Sequence, residues 1–356
     1  MTGGVVEPQG LAGQSTHSVQ DVRFSPDSRL VAVALGLHRT KAGSRRIADH
    51  LSHLLVIRVG NDPRPVAQFD AENGLARLGI FDEHSLLWAP DSSVLAFQSG
   101  AGRIADIDRR SICTLPFGGG ITLAGFFGSN ELLAKKASGV LPFTNKATRS
   151  EYFAANRDCS TLGLQRMPGH WWIADVEART KVLAVREFEE PGDTKVVQYD
   201  SWQVLQPWPR SRITGHLQFM DGGRILCESS RAERERKFLR FWDVKSGELV
   251  TQHPTLNGGS PAFAAINGTR VLATDERYIA SLDEEYDMRH VRNQEVWDFR
   301  TGKTVAKWKV RWQKLEIPIP GPNNLRDAPY AIDISPNGKL VAEAGDGVLR
   351  IYELPD

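Results

Sequence analysis

Cysteine and methionine are scarce in this 356-residue chain, with three and four copies, and the formal net charge is only +1. A near-neutral chain carries no global field to hold nucleic acid or an anionic membrane, so neither is expected as a partner. Long apolar runs are missing too. The longest, around residues 30–37, is far below the roughly 18 residues that suggest a membrane span. The opening MTGGVVEPQG has no basic stretch followed by an apolar one, so no export signal is expected and the chain reads as cytoplasmic. Cys113, Cys159 and Cys227 are odd in number, widely spaced and without a CxxC, which predicts free thiols in a reducing compartment. No nucleophile elbow, phosphate loop or helical metalloprotease motif is present. No catalytic residue, cofactor or metal is therefore assigned.

What is there is repetition. A turn followed by an apolar strand recurs as Ser25-Pro26-Asp27-Ser28-Arg29 into LVAVAL and Ala89-Pro90-Asp91-Ser92-Ser93 into VLAF. It returns at Gly128-Ser129-Asn130, Asp221-Gly222-Gly223, Asn267-Gly268-Thr269 and Ser335-Pro336-Asn337-Gly338. A second strand ending in an acidic or polar step recurs as LLVIRV (54–59), RIADID (103–108), WWIADV (171–176), FLRFWDV (238–244), QEVWDF (294–299) and VLRIYEL (348–354). Such internal repetition fixes architecture before any single residue fixes chemistry.

Each unit reads as four strands joined by Gly, Asn and Asp turns, the residues that tolerate the positive φ of tight hairpins. Phrases such as FSPDSRLVAVA, LLWAPDSSVLAFQS, RFWDVKSGE and VWDFRTGK resemble the WD40 and WD40-like (PD40, TolB-type) β-propeller repeats. The Gly-His pair usual before the first strand of a WD40 blade occurs once, as Gly215-His216, so the repeat is a degenerate one. The resemblance implies an all-β, single β-propeller domain over residues 1–356, built of four-stranded antiparallel blades. Six second-half strands predict six blades. The chain stops soon after VLRIYEL without a last outer strand, and an unpaired edge invites aggregation. Residues 3–11 are therefore expected to complete the last blade.

In a propeller, the connections between first and second and between third and fourth strands share one face. By this reading all of those are short, and the long segments 36–53, 136–169, 188–214, 275–293 and 311–329 fall on the other face. Insertions in repeat folds map to one face, often the binding face. These segments are rich in aromatic rings, which dominate interface hot spots. Tyr152, Tyr199, Trp202, Trp208 and Trp312 are the candidate anchors for a protein or peptide partner. Arg39, Lys41, Arg45 and Arg46 are the candidates to steer acidic groups. The chain is expected to be a monomeric, non-catalytic scaffold. The alternative is a carbohydrate-binding propeller or hydrolase using Asp193, Asp200, Asp283 and Glu285, whose carboxyl groups would need to lie about 5–10 Å apart.

Three look-alike motifs read otherwise. Gly100-Ala101-Gly102-Arg103-Ile104-Ala105 fits a dinucleotide fingerprint, but a repeat-matched strand follows where a helix is required. His50 and His53 could meet on one face only of a helical turn. Asn267-Gly268-Thr269 matches a glycosylation sequon but occupies a hairpin turn.

Overall fold

The computed structural model describes residues 3–6, 17–39, 48–60, 63–70, 86–99, 101–119, 121–137, 150–165, 167, 171–187, 193–208, 216–230, 238–254, 262–279, 289–311, 331–345 and 348–355. These form seven four-stranded antiparallel sheets. The first strand of the chain is β1 (Gly3–Val6). Blade I holds β2 (His17–Phe24), β3 (Leu30–Arg39), β4 (Ala48–Arg58) and β5 (Arg64–Asp70). Blade II holds β6 (Leu86–Trp88), β7 (Val94–Ser99), β8 (Ala101–Asp106) and β9 (Ser111–Gly119). Blade III holds β10 (Ile121–Phe127), β11 (Glu131–Ala137), β12 (Ser150–Asn156) and β13 (Thr161–Gln165). Blade IV holds β14 (Trp171–Glu177), β15 (Val182–Glu187), β16 (Thr194–Gln198) and β17 (Val204–Trp208). Blade V holds β18 (His216–Met220), β19 (Ile225–Ser230), β20 (Phe238–Asp243) and β21 (Leu249–Pro254). Blade VI holds β22 (Ala262–Asn267), β23 (Arg270–Ile279), β24 (Arg289–Asp298) and β25 (Lys303–Arg311). Blade VII holds β26 (Ala331–Ile334), β27 (Leu340–Gly345) and β28 (Val348–Glu353), and takes β1 as its outer strand.

Seven blades replace the six expected from the repeats. WWIADV, read as the second half of a unit, is the inner strand of blade IV and pairs with β15. Of the four missed strands, β16 and β17 lie in the segment 188–214, and the other two are β12, SEYFAAN, and β13, TLGLQ. Neither contains the β-branched run or the Trp-Asp step that marked the other units. With them counted, the segment 136–169 shrinks to a connection at 138–149, and 188–214 divides into β16, β17 and two shorter connections.

The repeated phrase has a physical basis. In the Ser-Pro turns, Ser25 Oγ accepts the Leu30 N–H and donates to Asp27 Oδ1 at 2.6 Å. Ser335, Leu340 and Asn337 repeat this arrangement in blade VII. The Trp-Asp step places Trp242 and Trp297 in the core. Its aspartates cap the next turn, Asp243 accepting the Ser246 N–H and Asp298 the Arg300 and Thr301 N–H groups. Apolar side chains alternate to fill the wedges between sheets, giving seven buried clusters. The inner strands of blades III and IV approach so closely that a Cβ on Gly125 would lie 2.7 Å from Val176 Cβ.

The inner strands are also joined by polar contacts. The Phe24 N–H donates to Asp333 Oδ2 at 2.7 Å across the seam between blades I and VII, and the Phe219 N–H donates to Asp175 Oδ2 between blades V and IV. Burial raises both carboxyls to about 7; at Asp333 the nearby Arg23 opposes the shift. A carboxyl whose folded pKa is raised favours the fold below its ordinary pKa and loses that contribution as pH climbs through the folded value. Asp243 works the other way. Its Ser246 N–H bond holds it below the usual range, so its contribution is lost in stronger acid. Urea unfolding is therefore expected to show greater stability at pH 5 than at pH 8, with a smaller difference in Asp333→Asn. Equal stability at the two values would contradict this assignment.

The cysteines depart from expectation. Cys113 and Cys159 form a disulfide, with Cα atoms 5.9 Å apart and a sequence separation of 46. Spacing gave no sign of the pairing because the two residues meet only when blades II and III pack. Cys227 is the free thiol, buried in β19, and burial raises its pKa well above the ordinary value. Among the described residues no helix is long and apolar enough to cross a membrane.

Candidate recognition face

The seven-blade register preserves the one-sided distribution of connections. Every turn between first and second strands, and between third and fourth, has five residues or fewer. The long connections 40–47, 138–149, 231–237 and 280–288 join second to third strands, while 7–16, 71–85, 209–215, 255–261 and 312–330 join one blade to the next. Antiparallel order puts both long sets at the same end of the strands. The short-turn end is stitched to itself. Arg270 Nη1 donates to the Gly338 carbonyl, the Asn337 N–H to Ser28 Oγ and the Asp27 N–H to Ser92 Oγ, which links blades VI, VII, I and II in turn. Ser28 and Ser92 hold left-handed φ values of 62 and 63°.

Arg39 ends β3 at the long-connection face, its backbone paired with Ala48. Lys41, Arg45 and Arg46 belong to the connection 40–47 and Trp312 to 312–330, outside the described residues. The other four anchors lie elsewhere. Tyr152 is 1% exposed in β12, and its hydroxyl accepts the Ile173 N–H. Tyr199 is buried just past β16, stacked on Phe127 with centroids 3.9 Å apart and donating to Glu131 Oε1. Trp208 is 1% exposed and donates from Nε1 to the Gly247 carbonyl at 3.1 Å. Trp202 is half-buried in a short turn at the opposite end, edge-on to Tyr199. These rings build blades III to V, because the segments read as loops are strands. They supply no free contact area at the long-connection face.

Blade IV brings other side chains to that face. Trp171, at the start of β14, is half-buried with Lys195 Nζ 5.5 Å from its ring centroid. Such a pair offers an apolar surface and a cation together. Arg186 lies one strand away, its pKa lowered by burial and supported by Glu228. Sequence reasoning missed these residues because WWIADV was read as the third strand of a blade, whereas it is the inner strand of blade IV. Trp171 was nonetheless visible as one of two adjacent tryptophans.

The rival acid pair separates. Asp193 precedes β16 at the long-connection end, whereas Asp200 follows it at the other and pairs with Lys181. Seven residues of largely extended chain place them about 20 Å apart, beyond glycosidase spacing. Asp283 and Glu285 lie outside the described residues. His50 and His53 lie on β4, not on a helix, and His53 Nδ1 is 2.8 Å from Asp70 Oδ1. Among the described residues no group of three or more His, Cys, Asp or Glu could hold a metal. Gly102 to Ala105 run along β8, which pairs as a hairpin with β7, so no helix presents its N-terminus to a phosphate.

A second surface lies on the rim. In blades I, III, IV, V and VI the pairing between third and outer strands skips one residue: Val66, Leu162, Leu205, Val250 and Val305. Each is the extra residue of a β-bulge, a device that twists an edge away from further pairing. Val66 and Val305 pack against their neighbours. Leu162, Leu205 and Val250, on three consecutive blades, are 49%, 43% and 53% exposed.

The chain is thus a seven-bladed β-propeller whose last blade is closed by β1. No family model matches the sequence, and no curated protein does. Among solved structures it is similar to a chain of a mitotic checkpoint complex, at 13% identity and a TM-score of 0.56, covering 99% of this chain and 95% of that one. TolB from Acinetobacter baumannii aligns at 11% identity and a TM-score of 0.44, over 67% of this chain and 55% of its own.

Proposed function

We propose that this propeller is a scaffold that recognises a protein or peptide partner through the face bearing the long connections. The observation that carries the reading is the confinement of every connection longer than five residues to that face. A rigid ring presenting variable loops at one end is a recurrent way to build a binding surface. Arg39, Lys41, Arg45 and Arg46 supply a basic sector on blade I for acidic groups of the partner. Trp312 and the Trp171–Lys195 pair supply apolar and cationic contacts. The structural relative was solved as part of a complex, in keeping with a propeller serving as an assembly surface. Fold alone does not assign the partner.

The test is quantitative affinity capture from native lysate with three folded baits: wild type, Arg45→Glu/Arg46→Glu/Lys195→Glu, and the rim variant Leu205→Ser/Val250→Ser. A protein retained by the wild type and the rim variant but reduced at least tenfold by charge reversal is the expected result. Loss from the rim variant alone would move the docking surface to blades IV and V. Equal recovery by all three baits would reject protein recognition and bring sugars and small substrates forward.

A further inference from the structure

The disulfide joins two blades at a position where the junction of blades IV and V has a noncovalent contact. Cys113 is the third residue of β9, the outer strand of blade II, and Cys159 lies in the turn between β12 and β13 of blade III. A residue one or two positions before the outer strand is left-handed in five successive blades: Arg110, Cys159, Trp202, Gly247 and Gly302, with φ of 52, 64, 56, 72 and 68°. Glycine holds this conformation without steric penalty, and a side chain there is disfavoured unless its surroundings impose it. At the junction of blades IV and V the same turn residue, Gly247, meets the outer strand of the preceding blade. There Trp208 donates to its carbonyl and the Gln206 side chain covers its Cα. Between blades II and III that contact is a covalent bond. The other end of β9 is held as well, since a single residue separates it from β10. The outer strand of blade II is thereby fastened to blade III at both ends.

We propose that the Cys113–Cys159 bridge is a permanent latch of the blade II–III junction and that the chain matures where thiols are oxidised. Formation is thiol–disulfide exchange. One cysteine thiolate attacks a disulfide oxidant and releases one thiol; the second cysteine then attacks the mixed disulfide and releases the other. The oxidant gains two electrons and two protons, and the protein loses them. The third cysteine does not compete. Cys227 is buried in blade V with its thiol pKa raised, and a protonated, inaccessible thiol is a poor nucleophile. Cross-links of this kind persist in oxidising compartments and are rare where glutathione and thioredoxin keep thiols reduced.

Cells that make the chain naturally are quenched in acid, alkylated with N-ethylmaleimide under denaturing conditions and digested without reduction. Mass spectrometry is expected to find one peptide pair linked through Cys113 and Cys159, with alkylation on Cys227 alone. Alkylation of all three cysteines would overturn the proposal. In the purified protein, a phosphine reductant is expected to lower the melting temperature by about 5 °C and to leave Cys113→Ala/Cys159→Ala unchanged. A wild-type melting temperature indifferent to the reductant would remove the latch role. Cys113→Ala/Cys159→Gly is expected to melt above Cys113→Ala/Cys159→Ala, because glycine suits the left-handed turn. Identical melting of the two would contradict the account of the turn.

Discussion

Deleting residues 2–14 is expected to lower the melting temperature by roughly 5–10 °C, the shift that the loss of several kcal/mol produces in a domain of this size. The deletion removes β1, whose Gly3, Gly4, Val5 and Val6 pair with Tyr352, Ile351, Arg350 and Leu349 of β28. Two costs follow together. The backbone hydrogen bonds of the outer strand are lost, and β28 becomes a free edge able to pair with another chain. The ring also loses the sheet in which, among the described residues, the first and last segments of the chain pair. Differential scanning calorimetry with light scattering reads both effects, and aggregation should begin at lower temperature in the truncated protein. Val5→Pro is the milder test, since proline cannot donate to the ladder. A truncated chain that melts with the wild type would show that β1 contributes nothing to closure.

Trp208→Ala is expected to cost about 3–5 kcal/mol, the usual penalty for truncating a large buried aromatic. The ring fills the wedge between blades IV and V with Leu217, Phe219, Leu226, Trp242 and Val244, and its Nε1–H would leave the Gly247 carbonyl without that donor. Trp208→Phe keeps most of the volume and loses the hydrogen bond, so its cost should fall near 1–2 kcal/mol. Urea titration at fixed pH measures both. The result also separates two roles, because a residue held for partner contact would be nearly neutral to stability when truncated. A neutral Trp208→Ala would return this tryptophan to the list of contact residues.

These two sites show how far sequence pattern reaches. The Ser-Pro-Asp and Asn-Gly turns were legible because turn chemistry is local: a hydroxyl or carboxylate meets backbone N–H groups two to five residues away. All six turns found in the sequence join first and second strands of a blade. The seventh, at 178–181, was missed because Ala178-Arg179-Thr180-Lys181 contains neither glycine nor proline. Blade IV was missed with it. Its aromatics then resembled loop anchors, although Tyr199 and Trp208 are core residues whose partners lie 68 and 39 residues away. A buried ring and an exposed one look alike in sequence, since hydrophobicity records what a residue prefers and not what surrounds it.

The sequence by itself determined the repeat, the all-β class, the short turns of one face and the accumulation of long connections on the other. Those follow from interactions that span a few residues and recur at each blade. Only the tertiary structure decided the number of blades, which tryptophans are core and the pairing of Cys113 with Cys159. Each of these depends on residues made neighbours by the packing of one sheet against the next, a relation that carries no signature in local spacing.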